Sequence, residues 1–227
     1  MKLQENLRKV QENIARAAEK VGRKAEEVQL IAVTKTMPTD IIQQLYSLGV
    51  RCIGENRVFD AGDKKAILTE TTDLKWHLIG TLQRKKVTKA LKIFDYIHSV
   101  DSVLLAEEIS KKASKIIPVL LEVNVSGEKT KHGFSIEELE QSMETLLSLP
   151  KIKIHGFMTM APFCNDSTIW RTCFSSLRCL MEKYNTRYAD ILQMSELSMG
   201  MSQDYEVAIQ EGATMVRVGS ALYEGLQ

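Results

Sequence analysis

Two short stretches of the chain carry residue types that could act on a ligand. The first is Thr34-Lys35-Thr36, directly after the apolar run 30–33. An inward-alternating residue at the end of a buried strand points to the mouth of the fold, and an amine desolvated there has a lowered pKa. Such a free amine can condense with an aldehyde. The second stretch is Gly219-Ser220-Ala221, between a last apolar run, 214–218, and a short terminal segment, 222–224. A glycine in such a turn lets an anion approach the backbone, and the first amides of a helix are unpaired donors. Ser202 and Ser220 could add hydroxyls. Taken singly, these are a solvated lysine and an ordinary glycine turn. Taken together they fit a ligand that carries both an aldehyde and a phosphate. Pyridoxal 5′-phosphate (PLP) has both, and so do sugar phosphates handled by Schiff-base aldolases.

Rigid elements must bring these stretches together. The opening segment sets Leu3, Leu7, Val10, Ile14, Ala17 and Val21 at alternating steps of four and three, an apolar helical stripe that Gly22 is placed to end. Short apolar runs then alternate with amphipathic stretches. The runs lie at 30–33, 51–54, 76–80, 96–100, 119–125, 152–160, 197–199 and 214–218. Helices are expected from Pro38 to Gly49, from about Glu55, over RKKVTKALK, and after Asp101 as N-cap. Ser135 and Glu138 form a capping box. Trp170, Phe174, Leu177, Met181 and Tyr184 share one helical face, and a further helix runs through Ala208 to Gly212. About eight β-then-α units predict an α/β fold: a single (β/α)8 barrel of the TIM type with an extra N-terminal helix. A doubly wound open sheet is the rival, weakened because no G-x-G-x-x-G follows an early run. In such a barrel the strand ends carry the chemistry, so Lys35, Asn56, His77, His98, Ser198, Ser202, Arg217, Gly219 and Ser220 are the positions to watch.

Composition narrows the class. The chain has 227 residues, with 12 Gly and 4 Pro, too few for a collagen-like or low-complexity protein. Its 30 basic and 29 acidic residues leave a net charge of +1, unlike a general nucleic-acid binder. Cys52, Cys164, Cys173 and Cys179 have no CxxC spacing and read as free thiols of a reducing compartment. The N-terminus lacks an apolar signal core, and no run approaches the ~20 apolar residues of a membrane span. A cytoplasmic protein is expected.

The motifs then become recognisable in order. AVTKTMP surrounds Lys35, GENRV spans 54–58, WHLIGTLQ spans 76–83 and HSVDS spans 98–102. LSMGMSQDYEVAI begins at Leu197 and GATMVRVGSALY at Gly212. Together they resemble the pyridoxal phosphate homeostasis protein family over nearly the whole chain from about Leu30. The resemblance implies one barrel domain over 1–227, of the alanine-racemase fold type, holding PLP as an aldimine on Lys35. It implies that Ser202, Gly219 and Ser220 hold the phosphate, that Arg217 faces the pyridine nitrogen, and that Asn56 lies near the ring. It also implies a role in intracellular PLP (vitamin B6) and amino-acid homeostasis without a dedicated catalytic reaction. A monomer is expected, with apo PLP-dependent enzymes as candidate recipients.

The arginine bears on reactivity. An acidic partner would keep the pyridine nitrogen protonated and make PLP a strong electron sink; a guanidinium disfavours that proton. A racemase also needs a second acid/base group across the substrate carbon, which related racemases take from an added β domain. Eight units use the length of this chain, so no such domain is expected. The competing readings are a racemase-like PLP enzyme and a cofactor-free Schiff-base aldolase.

Some positions depart from the family. Thr81-Leu82-Gln83-Arg84-Lys85-Lys86 replaces the usual H-L-Q-x-N-K, which removes a histidine and an asparagine. In Thr130-Lys131-His132-Gly133, Lys131 stands as either a second PLP-interacting amine or a solvated loop lysine. His77 reads as a hydrogen-bonded core histidine and Ser198 as a backbone-bonded turn residue. His77, His98, His132 and His155 share no metal-ligand spacing. Arg84, Lys85, Lys86, Lys89 and Lys92 read as a solvated face, and Met158, Met160, Met199 and Met201 as barrel packing.

Overall fold

Each βα unit returns the chain to the same end of a sheet, so consecutive units stack their strands in parallel and bury both faces. The computed structural model describes residues 2–128 and 131–226. Its strands are β1 (Gln29–Val33), β2 (Cys52–Glu55), β3 (Lys75–Leu78), β4 (Tyr96–Val100), β5 (Ile117–Glu122), β6 (Ile152–Met158), β7 (Glu196–Ser198) and β8 (Met215–Val218). They close in sequence order into a barrel, every neighbouring pair parallel. The closing pair, β8 with β1, sets Ile31 opposite Arg217.

Between the strands lie α2 (Thr39–Ser47), α3 (Val58–Ile67), α4 (Val87–Ile93), α5 (Val103–Lys112), α6 (Ile136–Leu147), α7 (Ser167–Arg187) and α8 (Tyr205–Gln210). Their buried faces, such as Ile42 and Leu45 of α2 and Phe174, Leu177 and Tyr184 of α7, form the main core against the outside of the barrel. A smaller cluster (Ile31, Cys52, Tyr96, Leu120, Met158 and Met215) comes from alternate strand positions and fills the inside.

The expected helix boundaries shift at several places. Glu55 is the last residue of β2 rather than the head of α3. The N-cap of α5 is Ser102, not Asp101, and its side chain makes no capping bond. The basic segment divides into a 3-10 turn, Arg84–Lys86, and α4. At α6 the capping box is present: the Ser135 hydroxyl accepts from the Glu138 N–H at 3.1 Å, and the Ser135 N–H donates to the Glu138 carboxylate at 2.8 Å.

The N-terminal helix α1 (Lys2–Glu19) buries Leu3, Leu7, Val10, Ile14 and Ala17, whereas Val21 lies beyond it and is exposed. It packs against α8 and the terminal helix α9 (Ser220–Tyr223). Asn6 Nδ2 donates to the carbonyls of Leu222 (3.1 Å) and Glu224 (2.8 Å), and Asn13 Nδ2 donates to the Tyr205 hydroxyl (2.8 Å). Arg23 Nη1 donates to the carbonyls of Ile209 and Ala213. The extra helix therefore holds the segment on both sides of β8. Asn6→Leu, which leaves these carbonyls without their donor, is expected to lower the unfolding free energy by about 1–3 kcal/mol in a urea titration.

Candidate functional site

At the C-terminal ends of the strands a cavity of about 290 Å³ opens, lined by Val33, Asn56, Met160, Arg217, Gly219 and Ser220 among others. Five of the six residues singled out for PLP line it: Asn56, Ser202, Arg217, Gly219 and Ser220. The sixth, Lys35, lines an adjoining cavity of about 250 Å³ that shares Asn56. The reason is local. The extended alternation ends at Thr34, and a turn closed by the Met37 N–H on the Thr34 carbonyl (2.8 Å) carries Lys35 over the rim. Lys35 is therefore exposed, and the burial expected of it is not provided by the chain.

The turn itself is firmly anchored. Thr34 Oγ1 donates to Glu55 Oε1 at 2.6 Å, and Lys64 Nζ donates to both the Thr34 carbonyl (2.7 Å) and Glu55 Oε1 (2.8 Å). Glu55 is almost wholly buried, so this ion pair has little water to screen it, and it ties the ends of β1 and β2 to α3. Asn56 is set by Gly80 beyond β3, where an added Cβ would stand 2.6 Å from the Asn56 carbonyl oxygen.

At the opposite wall, the segment after β7 meets the turn after β8. Asp204 Oδ1 accepts the Met201 N–H at 2.6 Å and locks the 201–204 turn, which presents Ser202. Burial pushes the Asp204 carboxyl above its ordinary value. Ser202 Oγ accepts the N–H groups of Gly219 (3.2 Å) and Ala221 (3.3 Å), so two amides and one hydroxyl converge. A Cβ at residue 219 would stand 3.3 Å from the Val33 Cβ, so glycine keeps this wall open. The donor set suits an anion such as a phosphate.

The inner end of the cavity belongs to Arg217, which is buried. Its Nη1 donates to Ser198 Oγ (2.6 Å) and its Nη2 to the Thr159 carbonyl (2.9 Å). Burial brings its pKa down to about 10, opposed by the charges of Asp204 and Glu122. Glu122, the last residue of β5, does not stand out in the sequence, and its place two residues after inward Leu120 is the one signal that marks it. Burial, with Asp101 adding to it and Arg217 and His132 opposing, pushes its carboxyl up to about 7.

Other expectations resolve in place. Ser198 is a strand residue whose side chain meets Arg217 and His98, not a backbone-bonded turn residue. Lys131 Nζ is tied to the Met160 carbonyl (2.9 Å) and Glu128 (2.8 Å), so it is not a freely solvated lysine; Thr130 lies outside the described residues. Met158 and Met199 are buried, but Met160 and Met201 line the cavity and Met201 is exposed. Of the basic run, Arg84, Lys85 and Lys92 are exposed, while Lys86 and Lys89 lie over the Phe59 ring at 5.4 and 4.0 Å. No described helix is long and apolar enough to cross a membrane.

This barrel and its rim define a class. The family described as alanine racemase, N-terminal domain, matches residues 6–227. Alanine racemase from Corynebacterium glutamicum, 16% identical with a TM-score of 0.69 over 96% of this chain and 62% of that one, shares the fold. Nearer relatives narrow the class. The chain is 41% identical over 198 residues to the pyridoxal phosphate homeostasis protein of Aquifex aeolicus (strain VF5), covering 86% of each. PipY of Synechococcus elongatus PCC7942, solved with PLP bound, is 37% identical with a TM-score of 0.84, over 92% of this chain and 99% of that one. The chain belongs to the pyridoxal phosphate homeostasis protein family.

Glu122 has a measurable signature. A carboxyl with a folded pKa above its unfolded value binds its proton more tightly when folded. Its contribution is thus full below about pH 4 and is lost as pH rises through about 7. Glu122→Gln is expected to gain up to roughly 3 kcal/mol relative to the parent protein between about pH 5 and about pH 8. Denaturant titrations at the two pH values check this.

Proposed function

We propose that the cavity binds PLP, that Lys35 holds it covalently through its side-chain amine, and that the protein is a cytoplasmic PLP carrier without a dedicated reaction. The observation that carries this reading is the convergence of Asn56, Ser202, Arg217, Gly219 and Ser220 on one cavity, next to the Lys35 turn. The PLP-bound PipY structure supports it from outside this chain. When bound, PLP supplies an electrophilic carbonyl and an electron-accepting ring.

The chain's own groups divide the work. The phosphate is bound at Ser202, Gly219 and Ser220: the two hydroxyls donate to it, and the Gly219 and Ala221 amides, which otherwise donate to Ser202 Oγ, turn to it when it displaces that contact. Arg217 donates a hydrogen bond at the inner end, toward the ring nitrogen, and Asn56 borders the ring. A guanidinium there gives up no proton readily, so the ring stays a weak electron sink. The exposed position of Lys35 leaves the covalent link open to incoming amines, which suits loading and release to apo PLP-dependent enzymes. The four free cysteines agree with a reducing compartment. A monomer is the form this reading assumes.

A racemase-like activity is the second reading, and Glu122 favours it: a buried carboxyl near Arg217 that titrates close to neutrality is suited to move a proton. Steady-state racemisation of alanine or serine separates the two, since robust turnover contradicts a carrier.

Borohydride reduction of the PLP-loaded protein is expected to fix the cofactor on Lys35, read by peptide mass. Lys35→Ala should lose the visible band of the covalent form. Ser202→Ala should weaken PLP binding about tenfold, as expected for one hydrogen bond to a charged group. A protein that ignores added PLP, or an unchanged band in Lys35→Ala, contradicts the assignment. Faster reactivation of an apo PLP enzyme by the loaded protein than by free PLP tests the carrier role directly.

A further inference from the structure

Behind the cavity, the barrel interior holds a chain of buried polar side chains contributed by four strands, β8, β7, β4 and β3. Arg217 Nη1 donates to Ser198 Oγ at 2.6 Å. Ser198 Oγ lies 2.9 Å from His98 Nδ1, and His98 Nε2 lies 2.9 Å from His77 Nδ1. Ser198 and His98 are fully buried and His77 nearly so. His77 is held in turn by Tyr96, whose ring stacks on it at 5.4 Å with a 10° interplanar angle. Beyond, the Tyr96 hydroxyl bonds Glu196, which lies 3.6 Å from His155 Nδ1.

We propose that Ser198, His98 and His77 are a positioning relay: they hold the Arg217 guanidinium at the inner end of the cavity and thereby set the hydrogen bond it makes to the ring nitrogen of a bound pyridoxal phosphate. The proposal rests on the PLP reading above.

Both hydrogen-bonded partners of Arg217, Ser198 Oγ and the Thr159 carbonyl, are neutral, so they orient the guanidinium without neutralising it. Its Nε has no hydrogen-bond partner among the described residues, which leaves that N–H for a ligand in the cavity that Arg217 lines. Arginine can only donate. Ser198 Oγ must therefore accept from Nη1, and its own hydrogen is free for His98 Nδ1. A neutral His98 then carries its proton on Nε2 and gives it to His77 Nδ1, so every contact has one donor and one acceptor. In the reverse polarity Ser198 would accept twice and its hydrogen would have no acceptor among the described residues. Burial keeps both rings neutral: it lowers His77 to about 4 and His98 well below its ordinary value. The Thr159 carbonyl that takes Nη2 is fixed as well, since the Thr159 hydroxyl donates to the Val123 carbonyl at 2.8 Å.

Two magnetic-resonance measurements at neutral pH test the relay. In the protein without ligand, long-range proton–nitrogen correlation of the histidine rings should find His98 and His77 neutral with the proton on Nε2. A proton on His98 Nδ1 would overturn the proposal. In protein loaded with ring-15N-labelled PLP, Ser198→Ala and His98→Leu should each move the ring-nitrogen resonance in the direction that Arg217→Gln moves it, at least a third as far. His98→Gln, whose amide accepts at one end and donates at the other, should return it close to the parent position. If His98→Leu does not fold, Ser198→Ala decides, because it removes a single oxygen. Folded variants that keep the parent resonance while Arg217→Gln shifts it overturn the relay. A parent protein that takes up no labelled PLP overturns the cofactor reading instead, and the histidine tautomers still judge the hydrogen-bond polarity.

Discussion

Arg217 carries a positive charge into the interior of a closed barrel, and the surrounding strands are arranged to accommodate it. A buried guanidinium is costly unless its N–H groups are bonded, because it gives up hydration that no apolar wall replaces. The bonds come from Ser198 on β7 and Thr159 just after β6, while β1 pairs beside it and closes the ring. None of these partners is a carboxylate. The acids that act on it, Asp204 and Glu122, do so through space. The charge is therefore oriented and available, and it determines how the inner end of the cavity meets a ligand.

The outer rim follows a different logic. One wall is built from backbone: the Gly219 and Ala221 amides turn toward Ser202, and Asp204 holds the Ser202 turn in place. Helix α1 braces that wall from outside through Asn6 and Asn13. On the other wall, Lys35 stands exposed on a turn pinned by the Thr34–Glu55–Lys64 cluster. In the proposed carrier, the groups that recognise PLP are fixed and partly buried, and the amine that captures it stays in contact with solvent. That combination favours holding and handing over a cofactor above enclosing a substrate, since an enclosed reaction needs the water kept out.

Much of this was legible from residue order, and the failures are informative. Periodicity located the eight strands because burial on both faces makes each a short apolar run bounded by turn residues. The turn after β8 was legible because a glycine directly follows the apolar run 214–218 and precedes a short terminal segment. The turn at Lys35 was not, since a hydrogen bond between Met37 and Thr34 ends the alternation one residue before the lysine. Asp101 looked like a cap and Ser102 took the position, a one-residue difference that composition does not resolve. Ser198 was misread because its partners lie far along the chain: His98 is 100 residues away and Arg217 is 19.

Residue order by itself determined the alternation of strand and helix, hence the barrel, and the chemical types that reach its rim. These are local properties, set by side-chain periodicity and by turn-forming residues within a few positions of each other. Tertiary structure alone decided which of those residues meet. Barrel closure brings β8 beside β1 and aims side chains from separate strands at one axis, and only there do Arg217, Ser198, His98 and His77 become a connected chain. The same closure decides burial. It makes Glu122 a carboxyl that titrates near neutrality and leaves Lys35 in water, because solvation depends on everything packed around a group and not on its neighbours in the chain.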